Sequence, residues 1–207
     1  MKTAFYIILL ALILCSCSTP SAPEYNEELA NFLEEVSKGW NFFKEANYGL
    51  SAASFRKAIE INTKRDRVEA YIGLGWSLAM QDSLPKAINS FNTAMLRVPE
   101  LAEDSLLIYA GLSLAYRDIV PPDFASVRDN ALAALELNPD FIFEYNESIN
   151  ANDLKAVLAE AYFNLENYTE AAAIVDPNGS LDSNDPDYHE KLLTKINQLI
   201  TLSREGD

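Results

Sequence analysis

The chain has 207 residues, about one domain in length, and 49% of them are apolar, which excludes an intrinsically disordered protein. With 31 acidic and 16 basic residues its formal net charge is −15, and a chain this acidic repels phosphate backbones, so nucleic-acid binding is not expected. One histidine and two cysteines exclude a cysteine-rich metal centre and leave little for histidine-based catalysis.

The first segment is typical of an export signal. Lys2 precedes an unbroken apolar run that covers residues 4–14. A run of this length matches the core of a secretory signal peptide and is shorter than the roughly 20 residues that a membrane-spanning helix needs. We therefore predict that residues 1–16 are a signal peptide that is removed on export.

The end of this run, Leu14-Cys15-Ser16-Cys17, resembles the lipobox of bacterial lipoproteins, with a small residue directly before the modified cysteine. The resemblance implies cleavage before Cys17 and lipidation of Cys17, with multiple acyl chains that form a stable membrane anchor. An ordinary cleaved signal with an incidental cysteine is the alternative. The short, polar, proline-bearing segment 17–24 is then a lipidated tether to a folded domain at 25–207.

This resemblance also implies a location. A lipoprotein of this kind is anchored in the bacterial cell envelope. Ser18, and not an aspartate, follows the lipidated cysteine. By analogy with the common sorting rule for lipoproteins, this favours the periplasmic face of the outer membrane.

The body of the chain has a helical pattern almost throughout. It contains few glycines and no β-branched runs of period two, so we predict an all-α fold. Asp185 is predicted to cap the last helix, with Pro186 in its first turn. The predicted helices cover 25–46, 50–62, 67–81, 84–97, 102–117, 123–137, 153–165, 168–175 and 186–203.

Within this body two segments repeat at a spacing of 36 residues, and two more degenerate copies follow. The copies share a small residue in the first helix of a pair, and a large residue followed by an alanine in the second. The third copy has alanine where the first two have phenylalanine. The matching residues are Gly39, Phe55 and Ala58; Gly75, Phe91 and Ala94; Gly111, Ala131 and Ala134; and Ala159 and Ala171.

The pattern resembles the tetratricopeptide repeat, a helix pair in which small residues let two helices cross and an aromatic residue fills the space between them. In the best copy, Pro99 ends the second helix. The resemblance implies a right-handed α-solenoid of about four helix pairs with an irregular insertion at 140–151. The pairs lie near 32–65, 68–101, 104–141 and 152–177, and a capping helix covers 186–203.

The resemblance also implies a partner-binding surface, because this family lines its concave face with fixed positions of the first helix of each pair. Carried onto this chain, those positions form an aromatic groove suited to an apolar or amphipathic peptide. Two alternatives stay open here: the tryptophans can be core residues, and the first helix or residues 140–151 can fill the groove. The groove residues are Trp40, Phe43, Ile72, Trp76, Met80, Leu112, Tyr116 and Phe163.

Two clusters near the C-terminus are weaker candidates for chemistry. His189 lies among acidic residues, as an acid/base or metal fragment would, but a solvated helix start explains it as well. The Asp- and Asn-rich stretch 176–187 offers oxygen ligands for calcium but lacks EF-hand spacing, and a turn-rich loop is the simpler interpretation. We expect no enzymatic activity, no cofactor and no structural metal.

Together these patterns predict a lipid-anchored scaffold that holds a partner protein or peptide at the membrane and performs no chemistry itself. Two other functions stay open. One is a substrate-binding lipoprotein of a transport system, with the groove as a ligand pocket. The other is a pilotin or assembly factor for an outer-membrane complex.

Overall fold

The computed structural model describes residues 22–61, 68–97 and 104–205, and every structural statement below concerns these ranges. Cys17 and the predicted signal peptide 1–16 lie outside them. Within them the chain is all-helical, as predicted, apart from an isolated β-bridge between Ile142 and Asn150. None of the helices in these ranges is both long and apolar enough to cross a bilayer.

The observed helices agree with the predicted ones to within three residues at each end. The first begins inside the predicted tether. The last begins at Tyr188, two residues later than predicted, because Asp185 accepts a hydrogen bond from Asp187 N at 2.8 Å and holds a turn there. The helices are α1 Ala22–Lys44, α2 Tyr48–Ile61, α3 Val68–Ala79, α4 Leu84–Met95, α5 Asp104–Asp118, α6 Phe124–Leu137, α7 Ala151–Asn164, α8 Tyr168–Val175 and α9 Tyr188–Glu205.

Three of the turns between helices have the same backbone geometry. Ala46, Asp82 and Glu166 each adopt a positive φ, of 57°, 57° and 61°, directly after α1, α3 and α7. In each turn the N–H of the next residue donates to a carbonyl five residues earlier, at 2.8–2.9 Å. The turn from α5 to α6 is longer and departs from this pattern. The spacing seen in the sequence therefore corresponds to a repeated local structure.

The helices pack in chain order. Each helix contacts the next one along the chain, and the odd-numbered helices α1, α3, α5, α7 and α9 also contact one another in succession. The buried residues accordingly form clusters that follow the chain: one spans α1 to α6, residues 141 and 143, and the start of α7, another joins α6 to α7, and a third joins α7, α8 and α9.

Buried phenylalanine rings that pack against glycines of the neighbouring helices hold the N-terminal helices together. Phe55 on α2 is fully buried between Gly39 on α1 and Gly73 on α3. A Cβ atom on Gly39 would lie 2.7 Å from the ring, and one on Gly73 would lie 2.2 Å from it, closer than real Cβ atoms approach. The glycines are therefore needed for close helix approach. For the fully buried ring of Phe91, the corresponding distances are 2.6 Å at Gly75 and 2.3 Å at Gly111.

Candidate functional site

Five of the eight predicted groove residues are core residues in the structure. Met80 is exposed, at 36%, and Tyr116 and Phe163 are half-buried. The expectation of an open groove is therefore corrected at the five buried positions, because a partner cannot touch those side chains while the surrounding structure is in place. Their exposed fractions are 8% for Trp40, 2% for Phe43, 1% for Ile72, 1% for Trp76 and 4% for Leu112.

Residues 141–149, called the aromatic plug below, cover the two tryptophans. The Phe143 ring stacks on Trp76 with 4.3 Å between ring centroids, and the Tyr145 ring stacks on Trp40 at 3.7 Å with an interplanar angle of 6°. Phe143 is fully buried. Of the alternatives that the sequence left open, the structure shows the one in which the insertion fills this face.

Hydrogen bonds fasten the base of the plug to α7. Phe143 N donates to Ile149 O at 2.9 Å, and Ala151 N donates to Phe141 O at 2.7 Å. Asn150 caps α7 in a reciprocal capping box with Asp153, whose carboxylate accepts from Asn150 N at 2.8 Å. The plug is thus held at both ends by backbone contacts and by its buried rings.

The tip of the plug carries a polar edge. Burial, followed by a hydrogen bond with the Glu144 side chain, raises the pKa of Tyr145 well above its ordinary value of 10.0. The Lys44 ammonium lies 5.1 Å from the centroid of the Tyr145 ring, within the range of a cation–π contact. Tyr145 therefore acts as a packing residue between Trp40 and Lys44.

A cleft remains beside the plug, between α3, α5, α7 and the end of α9, and we call it the inner cleft. Its free volume is about 220 Å³. Its polar lining residues are Arg117, Asp118, Asp153 and Ser203. Its other lining residues are Trp76, Ala79, Met80, Leu84, Gly111, Leu114, Ala115, Ile149, Ala156, Val157 and Ile200. A mainly apolar concavity with a few polar groups is the usual form of a binding site.

The charges at the inner cleft are already paired. Arg117 Nε donates to Glu160 Oε2 at 2.9 Å, and its Nη1 donates to Asp118 Oδ1 at 3.1 Å. The Arg117 side chain is only 19% exposed. Arg117 is therefore committed to two carboxylates and does not offer a free cation to an anionic ligand.

One polar group of the cleft lining has no partner. The indole N–H of Trp76 is buried and makes no hydrogen bond, and it is the one buried side-chain nitrogen or oxygen in this condition among the described residues. Leaving such a donor unsatisfied costs about 1–3 kcal/mol. Sequence reasoning identified Trp76 but missed this feature, because the surroundings of the indole come from other helices and the plug.

A second cleft, of about 470 Å³, is lined by Trp40 and lies at the beginnings of α3 and α5. Three of its lining residues, Glu69, Asp104 and Glu144, are acidic. Ile142 of the plug, 61% exposed, also lines it. This cleft is more polar than the inner cleft and lacks a buried unpaired group, so it is the weaker candidate for a specific ligand.

The Asp-rich loop 176–187 is fastened by its own donors. Asp176, 7% exposed, accepts hydrogen bonds from Ser180 Oγ at 2.6 Å, Leu181 N at 2.7 Å and Lys195 Nζ at 2.8 Å. The Lys195 hydrogen bond, then the Ser180 and Leu181 hydrogen bonds, lower the pKa of Asp176 far below its ordinary 3.8. These contacts tie the loop to α9.

His189 makes packing contacts. It is exposed, and its ring lies over that of Tyr168 with 4.1 Å between centroids. Within the described ranges, no group of three or more His, Cys, Asp or Glu side chains is arranged to hold a metal ion. Neither of the two C-terminal clusters is therefore retained as a candidate site.

Comparison with known proteins assigns no family to the chain: no protein-family model matches it, and no curated protein matches it.

Proposed function

We propose that the protein is a lipid-anchored interaction scaffold of the bacterial cell envelope, built as a right-handed, tetratricopeptide-like solenoid of about four helix pairs closed by α9. Three observations support the architecture: the succession of contacts among odd-numbered helices, the three equivalent turns, and the phenylalanine–glycine interfaces. The lipobox resemblance at Cys17 supports the anchor, which would hold the scaffold at the outer membrane.

The observation that carries the function is the inner cleft, a mainly apolar concavity that stays open beside the plug. Met80 lines this cleft and is its one exposed apolar side chain among the described residues. Exposed methionine adapts to different apolar partners. A partner surface that places an apolar side chain on Met80 would dock here.

The charge of the chain indicates what surrounds that apolar contact. The net charge is −15, whereas Asp118 and Asp153 at the inner cleft are already engaged by Arg117 and by Asn150 N, so the overall charge of the chain carries the preference. Complementary charge speeds encounter and selects partners. The proposed partner is therefore a protein segment with an apolar residue flanked by basic residues, and added salt should weaken its capture.

Photocrosslinking in cells tests this proposal. A photoreactive amino acid placed at position 80 should give one dominant protein adduct in the outer-membrane fraction. The matched control is position 96, where Leu96 is 87% exposed but lies after α4, away from the inner cleft. If positions 80 and 96 give the same diffuse set of adducts, the scaffold proposal is wrong about this surface.

A further inference from the structure

The unpaired indole N–H of Trp76 points to a missing hydrogen-bond acceptor. Trp76 is only 1% exposed, and its ring neighbours are Phe143, stacked on it at 4.3 Å between centroids, and Phe91, in an edge contact at 5.8 Å. Phenyl rings offer no ordinary acceptor for an N–H group. Buried polar groups in folded proteins are nearly always paired, so an exception calls for an explanation.

The inner cleft is lined in part by Trp76 and offers room for a ligand, with a free volume of about 220 Å³. An engineered apolar cavity of about 150 Å³ is enough to hold a benzene molecule. The N–H itself is covered, so an acceptor reaches it only after a side chain shifts, and Met80 in the same lining is exposed and flexible.

The charges of the cleft decide which kind of acceptor fits. Asp118 and Asp153 lie in the lining, and Arg117 is already paired with Glu160 and Asp118. Together with the net charge of −15, these carboxylates disfavour an anion. A neutral acceptor such as a carbonyl oxygen, carried on an apolar body, matches both the apolar lining and the single free donor.

We propose that the inner cleft is a binding site for a small, neutral, mainly apolar molecule whose carbonyl-type oxygen accepts a hydrogen bond from Trp76 Nε1. This function goes beyond the scaffold, since the ligand lies inside the cleft and needs no protein partner. It belongs to the same class as the ligand-binding lipoprotein that the sequence left open.

A matched pair of probes tests the hydrogen bond. Acetophenone and ethylbenzene have nearly the same size, but only acetophenone carries a carbonyl acceptor. The full chain, labelled with ¹⁵N at tryptophan, gives two indole N–H resonances, from Trp40 and Trp76. Acetophenone should move the Trp76 N–H resonance downfield, ethylbenzene should not, and the Trp40 resonance should stay in place for both.

A Trp76→Phe substitution provides the second arm, because it keeps an aromatic ring and removes the donor. By calorimetry, acetophenone should bind about 3- to 10-fold more weakly to this variant, and ethylbenzene about equally to both proteins. If the variant does not fold, the NMR comparison of the two probes on the unmodified chain still tests the hydrogen bond.

The proposal is overturned if acetophenone leaves the Trp76 resonance unmoved, or if both probes move it alike. Either result would mean that the N–H is satisfied by water or is simply unpaired. Its failure is separable from failure of the scaffold, because crosslinking from position 80 requires a partner in the cell whereas the probes act on the isolated protein.

Discussion

The α2–α3 interface and the α6–α7 interface place their large residue on opposite helices. In the first, Phe55 on α2 faces Gly73 on α3. In the second, Ala131 on α6 holds the position of Phe55, counted from the residue before the helix, and Val157 on α7 precedes Ala159 by two residues, as Gly73 precedes Gly75. Ala131 and Val157 are buried in one cluster. One interface is filled by a ring against a bare backbone, whereas at the other both residues carry side chains and both are buried in the same cluster.

At the α6–α7 interface the smaller residue on the first helix is accompanied by a larger residue on the second, so neither position can be judged without its neighbour. Interiors are packed to nearly crystalline density, so a loss of volume on one helix must be met by a gain on its neighbour. A sequence comparison that follows one position at a time sees only the loss at Ala131. It therefore makes the third copy of the repeat look weaker than its packing is.

The largest expected effect comes from emptying the N-terminal interface. A Phe55→Ala substitution should lower the free energy of unfolding by about 3–5 kcal/mol, since Gly39 and Gly73 have no side chains that can fill the space. Leu50→Ala is the control on the same helix, because Leu50 is 54% exposed and its loss should change stability by about 0.5 kcal/mol or less. Denaturant unfolding measures the free energy of unfolding of both variants. Similar losses in the two would show that the buried Phe55 ring contributes no more to stability than an exposed residue.

A smaller effect is expected from overfilling the same interface. Gly73→Val places a Cβ 2.2 Å from the Phe55 ring and should destabilise by about 1–3 kcal/mol. Gly49→Val, where nothing lies within 4 Å, should be nearly neutral.

Combining Gly73→Val with Phe55→Ala recreates the arrangement of the α6–α7 interface and sharpens the comparison. The double variant should lose less stability than the sum of its two single losses, with a coupling of about 0.5–3 kcal/mol. If the loss of unfolding free energy in the double variant equals the sum of the two single losses, the two positions do not compensate for each other's size.

The smallest effect concerns the C-terminal region, where a polar contact helps to hold α9. Because the folded state lowers the pKa of Asp176 below 3.8, its ionised form stabilises the protein above about pH 4, and this contribution is lost as the pH falls below 3.8. An Asp176→Asn variant should therefore melt below the unmodified protein at about pH 7, and the gap should narrow progressively as the pH falls below 3.8.

The control for this pH dependence lies in the same loop. Asp187 is exposed, so Asp187→Asn should change the melting temperature little at either pH. A gap for Asp176→Asn that stays constant over the whole range would show that the Lys195 contact adds nothing through charge.

Much of the helical layout could be predicted because helix formation depends on nearby residues. Positions of small and apolar residues marked each helix to within three residues, and Pro, Asn and Asp marked the turns. The start of α9 differs from the prediction by two residues for a specific reason. There Asp185 holds a turn of its own through Asp187 N, and a capping rule does not distinguish that turn from the first turn of a helix.

The candidate site could be predicted only in part. Trp76 and Met80 were identified from their helix positions, and both line the inner cleft. Exposure could not be read from those positions, because an aromatic residue on a helix face serves equally as a core residue or as a binding residue. The contact of Phe143 with Trp76 settles the matter for the tryptophan, and it joins residues far apart in the chain.

The sequence by itself determined the all-α fold, the order of the helices and the small-residue positions where helices cross, since these follow from local periodicity and side-chain size. Only the tertiary structure decided which part of the inner face is filled and which stays open. The plug between α6 and α7 packs onto tryptophans of α1 and α3, and its contacts depend on how all the intervening helices stack. The same stacking leaves the indole of Trp76 without an acceptor beside an apolar cleft.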